Sequence, residues 1–225
     1  MMIASQFKFI QEYPEFRDVL NVTSFADYKA KLVKVKKNLS EQEYNYVSGF
    51  SFEFIIGFML HIYGGMPEFG VMDYQPTYVG SVDNPDHGAD GFGRAFADIP
   101  DAKKPGNVIH QQSSRLAIVQ IKFRSNRTDQ VRSFGNLPAV VATRLMTEET
   151  VNVTLITLSS ERKTGIDIHA QEVDSSVVGF AKEFKKCFTK EMAKRIYIRV
   201  IVINQLEKFD NFYFWQQLRI FSGLF

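Results

Sequence analysis

The chain has 225 residues, 45% of them hydrophobic, and a formal net charge of only +2. Its length and apolar content suffice for one sizeable core, and its small net charge requires any nucleic-acid surface to come from local basic clusters. Its single cysteine, Cys187, excludes an internal disulfide, and its scattered histidines exclude a zinc-binding spacing. Because it has neither a signal-peptide pattern nor an apolar run of 18 residues, we expect a cytoplasmic protein without a membrane segment.

The first predicted elements are helices. We expect residues 1–38 to form an N-terminal accessory helical segment in front of one domain that spans residues 39–225. Within that segment, a helix is predicted to start near Ser24 and to run through a stretch with five lysines at 29–37. This stretch is either a solvated face with its apolar residues packed inward or a surface that contacts phosphates.

A long helix is predicted next. Ser40 and Glu43 have the spacing of a capping box, which predicts a helix start, and Gly64-Gly65 predicts its end. Glu53 lies in the most apolar part of this helix. An unpaired carboxylate buried there would cost several kcal/mol, so we expect Glu53 to have a partner or a bound cation.

Two glycines flank Glu53 on the same stripe of this helix. Gly49 and Gly57 each lie four residues from it, and each costs a helix roughly 0.5–1 kcal/mol relative to alanine. Their presence predicts a close approach to the helix, either by the packed sheet or by a metal-bound phosphate.

Strands and helices then alternate along the rest of the chain. The predicted elements are a strand at 71–82, a strand remnant with an exposed loop at 92–115, a buried strand at 117–123, a helix at 129–146 with a kink or break at Pro138, a strand at 151–158, a helix at 177–194, a strand at 195–203 and a helix at 212–221. This order predicts an α/β fold with a mixed central sheet and helices on both of its faces.

Chemistry-bearing residues fall at two places in this fold. Asp90 lies in the Gly-rich turn Asp86-His87-Gly88-Ala89-Asp90-Gly91, and Gln120 and Lys122 lie on the buried strand. Residues two apart in a strand project from the same face, so Gln120 and Lys122 should point away from Ile121. A carboxylate, an amide oxygen and an ammonium brought together suit a hard divalent cation beside a phosphate.

In their order along the chain, these motifs resemble the restriction-endonuclease-like superfamily, and most closely its Mrr-type branch. That branch has Phe-Glu on the first helix, Asp-x-Gly-x-Asp-Gly in the turn and Gln-x-Lys in the next strand. Here these motifs are Phe52-Glu53, the turn at 86–91 and Gln120-Ile121-Lys122. The resemblance covers about residues 40–160 and implies a restriction-endonuclease-like core that acts as a metal-dependent DNA endonuclease, in restriction, phage or defence settings.

The resemblance also implies a role for each residue. Asp90 would be the main ligand of Mg²⁺ or Mn²⁺, the Gln120 side chain and the Ile121 backbone carbonyl would add oxygens, and Glu53 would bind directly or through water. Lys122 would orient the attacking water or neutralise charge in the transition state. Taken singly, Asp90 could equally cap a turn, and Lys122 could be a strand-end lysine that reaches solvent.

The partner implied is DNA, and a homodimer is plausible because a two-strand cut needs two sites. Each basic residue near the motifs is either a phosphate contact or ordinary solvated surface. These residues are Lys103, Lys104, Arg115, Arg124, Arg127 and Arg132.

Some alternatives stay open. The long gap between Asp90 and Lys122 is interpreted as a loop insertion. If this gap instead contains the strand pair of the nuclease core, the role of the metal-binding carboxylate could shift from Asp90 to Asp86 or Asp98. A structure-selective nuclease, such as a junction resolvase or an exonuclease, is the alternative within the same chemistry. The alternative outside enzymes is a catalytically inactive DNA-binding module on the same fold.

Overall fold

The computed structural model describes residues 14–66, 69–77, 89–100, 108–124, 135–159, 183–202 and 206–223. It contains one mixed six-stranded sheet with helices on both faces, which confirms the predicted α/β class. The strands are β1 (Gly65–Met66), β2 (Val71–Pro76), β3 (Gly91–Pro100), β4 (Val108–Arg124), β5 (Val151–Ser159) and β6 (Ile196–Val202). They lie in the sheet in chain order; β1 to β4 are antiparallel, and β5 and β6 continue parallel to β4.

One face of the sheet is covered by the larger hydrophobic core. The helices on this face are α1 (Pro14–Leu20), α2 (Phe25–Val35), α3 (Glu41–Ile62) and, near the C-terminus, a helix at Phe212–Phe221. Their apolar side chains form one cluster with Val119 and Ile121 of β4. The Phe16 and Phe54 rings meet at 6.4 Å, so the described part of the N-terminal segment shares its core with α3.

The long helix α3 starts as the sequence predicts. The Ser40 hydroxyl accepts the backbone N–H of Glu43, and the Glu43 carboxylate accepts the backbone N–H of Ser40 at 2.9 Å. These reciprocal bonds satisfy donors that the first turn of a helix leaves open. The helix is followed by Gly64 at φ +67°, a left-handed conformation that glycine adopts without strain.

The opposite face carries a smaller core beneath α4 (Leu137–Arg144) and α5 (Lys190–Lys194). Leu137 and Val141 of α4 pack with Ile118 of β4 and with Phe184. The helix at Phe212–Phe221, α6 in chain order, has the predicted bounds. No helix in the described ranges is both long and apolar enough to cross a lipid bilayer.

Two predicted helices differ from the structure. Within the described residues, the helix expected at 129–146 spans Leu137–Arg144, and Pro138 lies in its first turn, where its missing N–H costs nothing, rather than at a break. The single helix expected at 177–194 is interrupted by a turn at 186–188. After this turn, the Thr189 hydroxyl accepts the N–H of Met192 and starts a separate short helix.

The prediction of a strand remnant with an exposed loop at 92–115 is wrong for most of this range, because most of it belongs to two strands. β3 and β4 form a long antiparallel hairpin, in which Gly91 pairs with Val119 and Pro100 with Val108. β5 pairs with β4 only from Leu116 onward. The start of β4 therefore extends beyond its parallel neighbour, and an antiparallel ribbon there tolerates the polar sequence that suggested a loop.

Candidate active site

Asp90 lies directly before the first residue of β3 and beside β4. Its backbone N–H donates to the Val119 carbonyl at 2.8 Å. The next N–H of β4 on that side is that of Ile121, and it donates to the Asp90 carboxylate. The N–H and C=O of one strand residue point to the same side, so the Ile121 carbonyl and the Asp90 carboxylate lie on the same side of β4. The structure thus brings together two of the oxygens that the sequence predicts as metal ligands.

Glu53 and Lys122 form an ion pair beside this point. The Lys122 Nζ lies 3.6 Å from Glu53 Oε1, and the two side chains are 31% and 17% exposed. Lys122 is therefore the partner expected for the carboxylate in the apolar part of α3. The contact joins the end of β4 to the helix that covers the Ile121 face of the sheet.

Gln120 is buried, with only 2% of its surface exposed. Strand alternation places it on the face of Ile118, which belongs to the core beneath α4. Gln120 therefore projects away from Ile121, as expected. The Lys122 amine, however, ends at Glu53 on a helix of the opposite face, because a four-carbon side chain near a strand end can reach it.

The donor set fits a hard cation that keeps part of its water shell. In the described residues, no three histidine, cysteine, aspartate or glutamate side chains form a metal-binding group. The protein would therefore supply the Asp90 carboxylate and the Ile121 carbonyl, with Gln120 and Glu53 as the further oxygens predicted from the sequence. Mg²⁺ is typically bound in this way, through one or two carboxylates plus water and substrate phosphate.

Tyr74 of β2 is a member of the site that the sequence analysis did not identify. Its hydroxyl donates to the Asp90 carbonyl at 3.0 Å, and only 1% of the residue is exposed. Burial, together with the negative charges of Asp90 and Glu53, raises the pKa of the Tyr74 phenol. The phenol therefore stays neutral and acts as a hydrogen-bond donor over the physiological pH range.

The glycines near the site have different surroundings. A Cβ on Gly57 would lie 3.6 Å from the Tyr74 hydroxyl and 4.0 Å from Ile121 Cδ1, so the sheet does pack closely there. A Cβ on Gly91 would collide with the Tyr74 ring. A Cβ on Gly49 would meet no described atom within 4 Å apart from its chain neighbours and the backbone of its own helix, so the sheet does not approach α3 closely there.

The structure also bears on the other two candidates for the carboxylate role. Asp98 pairs with His110, twelve positions before Lys122 on β4 and thus roughly 40 Å away along the strand. Asp86 lies outside the described residues. β3 and β4 are the strand pair within the gap between Asp90 and Lys122. Their pairing keeps Asp90 beside Ile121 and places Asp98 too far away to be the carboxylate of this site.

Most of the predicted DNA-contacting side chains lie outside the described part of the chain. Arg115 is seven positions before Lys122, about 23 Å along β4, and its guanidinium stacks on the Tyr197 ring with 5.0 Å to the centroid. Arg124 ends β4, but its side chain lies outside the described part. Four further candidates lie outside the described residues altogether: Lys103, Lys104, Arg127 and Arg132.

Comparisons with known proteins leave the site to be interpreted from its own chemistry. No family model, curated protein or solved structure matches this chain at a significant level. What the described residues offer is an anionic oxygen, a main-chain oxygen and an ammonium at one end of β4. Such a group can bind a cation and a phosphate together.

Proposed function

We propose that this chain is a divalent-metal-dependent DNA endonuclease that hydrolyses phosphodiester bonds. The observation that carries the proposal is the hydrogen bond between the Asp90 carboxylate and the Ile121 N–H, with the Lys122–Glu53 pair beside it. A cation needs the oxygens of this group, and a phosphate needs its positive charge. Phosphodiester hydrolysis requires both because charge builds on the phosphate oxygens in the transition state.

The metal would be held by the Asp90 carboxylate and the Ile121 carbonyl, with Gln120 and Glu53 as further oxygens. When bound, Mg²⁺ or Mn²⁺ lowers the pKa of a water molecule and offsets negative charge on the phosphate. The Asp90 carboxylate is held in place by the Ile121 N–H that it accepts. A fixed carboxylate lowers the cost of organising the site when substrate arrives.

Lys122 supplies the positive charge. Its ammonium is a compact point charge that can neutralise a phosphate oxygen or orient the attacking water. The Glu53 carboxylate, 3.6 Å away, keeps this ammonium at the end of β4. Because the Lys122 side chain is still 31% exposed, a phosphate can approach it from solvent.

The arrangement of the elements supports a restriction-endonuclease-like core. The helix and the parallel strand that follow Lys122, α4 and β5, have the order along the chain that the resemblance to the Mrr-type branch implies. We accordingly propose DNA as the substrate and an intracellular role in restriction or DNA degradation. A homodimer would bring together the two sites that a two-strand cut needs.

The test is cleavage of plasmid DNA by the purified protein in Mg²⁺ or Mn²⁺, with chelator as the blank. We expect Asp90→Asn and Lys122→Met each to lower the rate by about 10²–10³-fold, since each removes one preorganised charge. Asp98→Asn and Lys194→Met are the matched controls, because they remove the same charges away from the site. Asp98 pairs with His110, and Lys194 lies two residues before β6, whose start is level with Leu116 of β4. Equal rates in the site variants and the wild type would remove these residues from the mechanism.

The same assay separates the related activities. Linear, nicked, circular and four-way DNA should distinguish an endonuclease from an exonuclease or a junction resolvase. Wild-type protein that binds DNA but cuts none of these substrates in either metal would be a binding module, and the enzymatic proposal would fall.

A further inference from the structure

We propose that Tyr74 is a positioning residue that holds the Asp90 main chain so that the Asp90 carboxylate stays beside Ile121. This inference rests on the proposed function, because it assigns Tyr74 to the same site. Tyr74 itself is not expected to contact metal or substrate. It would act through Asp90.

The first support is how Asp90 is held. Its carbonyl accepts the Tyr74 hydroxyl and the Thr77 N–H, each at 3.0 Å. Its N–H donates to the Val119 carbonyl, and its carboxylate accepts the Ile121 N–H. β2 and β4 therefore hold Asp90 from opposite sides. Of these bonds, the one from Tyr74 is a side-chain bond that a single substitution can remove.

The second support is the fit of the ring. Gly91, which follows Asp90, leaves the space that the Tyr74 ring occupies, since a Cβ there would collide with it. Gly57 of α3 comes near the hydroxyl from the helix side. Strand and helix thus both lack a side chain where this ring packs, and the ring has little room to move.

The decisive variant is Tyr74→Phe, which keeps the ring and removes one oxygen. The matched control is Tyr28→Phe, because the Tyr28 hydroxyl is also buried and bonds the Ser51 hydroxyl at 2.9 Å within the same core. Both variants lose one buried hydroxyl, but only one of these hydroxyls touches Asp90. If Tyr74→Phe does not fold, Tyr74→Met serves in its place, since it also fills the space without a donor.

Two measurements without DNA report on the position of Asp90. Amide hydrogen exchange at Ile121, followed by NMR, should become about 10-fold faster in Tyr74→Phe. The Kd for Mn²⁺ alone, from calorimetry, should rise by about 10-fold, as is typical when the partner of a metal ligand is removed. In Tyr28→Phe, both should stay at the wild-type values. Unchanged Ile121 exchange in Tyr74→Phe would overturn the inference.

The DNA assay distinguishes the two proposals. If the wild type cuts DNA, Tyr74→Phe should lower kcat by about 10-fold with little change in KM, because substrate contacts are intact. If the wild type cuts no DNA but Tyr74→Phe alters Ile121 exchange and Mn²⁺ affinity, the nuclease proposal fails and the role of Tyr74 stands. A wild-type kcat in Tyr74→Phe would contradict the role proposed for Tyr74 and would leave the nuclease proposal standing.

Discussion

Gly91 shows how the lack of one side chain helps to build the site. It follows the carboxylate at position 90, and the Tyr74 ring fills the space beside it. Gly49, in the middle of α3, has no such neighbour within the described chain. The two glycines therefore predict opposite responses to the same substitution.

We expect Gly91→Ala to destabilise the protein by about 1–3 kcal/mol, because the new methyl group forces the Tyr74 ring to move. Gly49→Ala should instead stabilise it by roughly 0.5–1 kcal/mol through helix propensity alone. Urea unfolding of both variants beside the wild type measures the difference. Changes of the same sign in both would contradict the packing described around Tyr74.

The site was only partly predictable from the sequence. Glu53, Asp90 and Lys122 could be identified because charged residues in apolar or Gly-rich surroundings are conspicuous along a chain. Tyr74 could not, because an aromatic residue on a strand is ordinary, and its contact with Asp90 depends on how β2 meets β3. That register arises from tertiary packing, which spacing in the sequence does not reveal.

Among the elements, α3 has the most clearly defined start. Its capping bonds join Ser40 and Glu43 in both directions, and they lower the pKa of the Glu43 carboxyl. A carboxyl with a lowered pKa in the folded state stabilises the fold above its unfolded pKa. This contribution is lost as the pH falls through the folded pKa.

Ser40→Ala should lower the free energy of unfolding by about 1 kcal/mol at neutral pH. The loss should shrink as the pH falls below the ordinary glutamate pKa of about 4.3 and through the lowered pKa of the folded state, because the protonated Glu43 of the wild type no longer binds as a carboxylate. Chemical unfolding at several pH values tests this. Glu43→Gln is the control, because glutamine can complete a capping box but does not titrate. If the loss of unfolding free energy in Ser40→Ala does not change with pH, the Glu43 carboxylate does not have the role assigned to it.

Elements with clear local signals were predicted well from the sequence, and elements without such signals were not. The bounds of α6 and the start of α3 follow from capping residues and apolar spacing, which act within a few positions. The β3–β4 hairpin escaped prediction because its polar sequence lacks the regular apolar alternation that indicates a strand. The turn at 186–188 escaped because the sequence around it is compatible with a helix until Thr189 caps a new one.

Two buried tyrosines influence the whole fold at alkaline pH. Tyr28 lies in the core among α1, α2 and α3, and burial raises the pKa of its phenol as it does for Tyr74. The folded state thus favours the neutral phenol more than the unfolded chain does. This stabilisation is complete below the unfolded pKa of about 10 and is lost as the pH rises above it.

We therefore expect the urea midpoint to fall steeply above about pH 10. Tyr28→Phe should be less stable than the wild type at pH 8 but should lose less of its stability between pH 10 and pH 11, because one buried phenol no longer has to ionise. A Tyr28→Phe curve parallel to the wild type would contradict this account.

The strands of the sheet have the same order in space as along the chain. Among the described strands, none has to be inserted between two that are already paired, so each new pairing closes only the segment that joins successive strands. Such a sheet can grow during translation, with each strand joining its predecessor as the nascent chain leaves the ribosome. The pairing of β1 with β2 and of β2 with β3, which follows Asp90, would then form before β5 and β6 are synthesised.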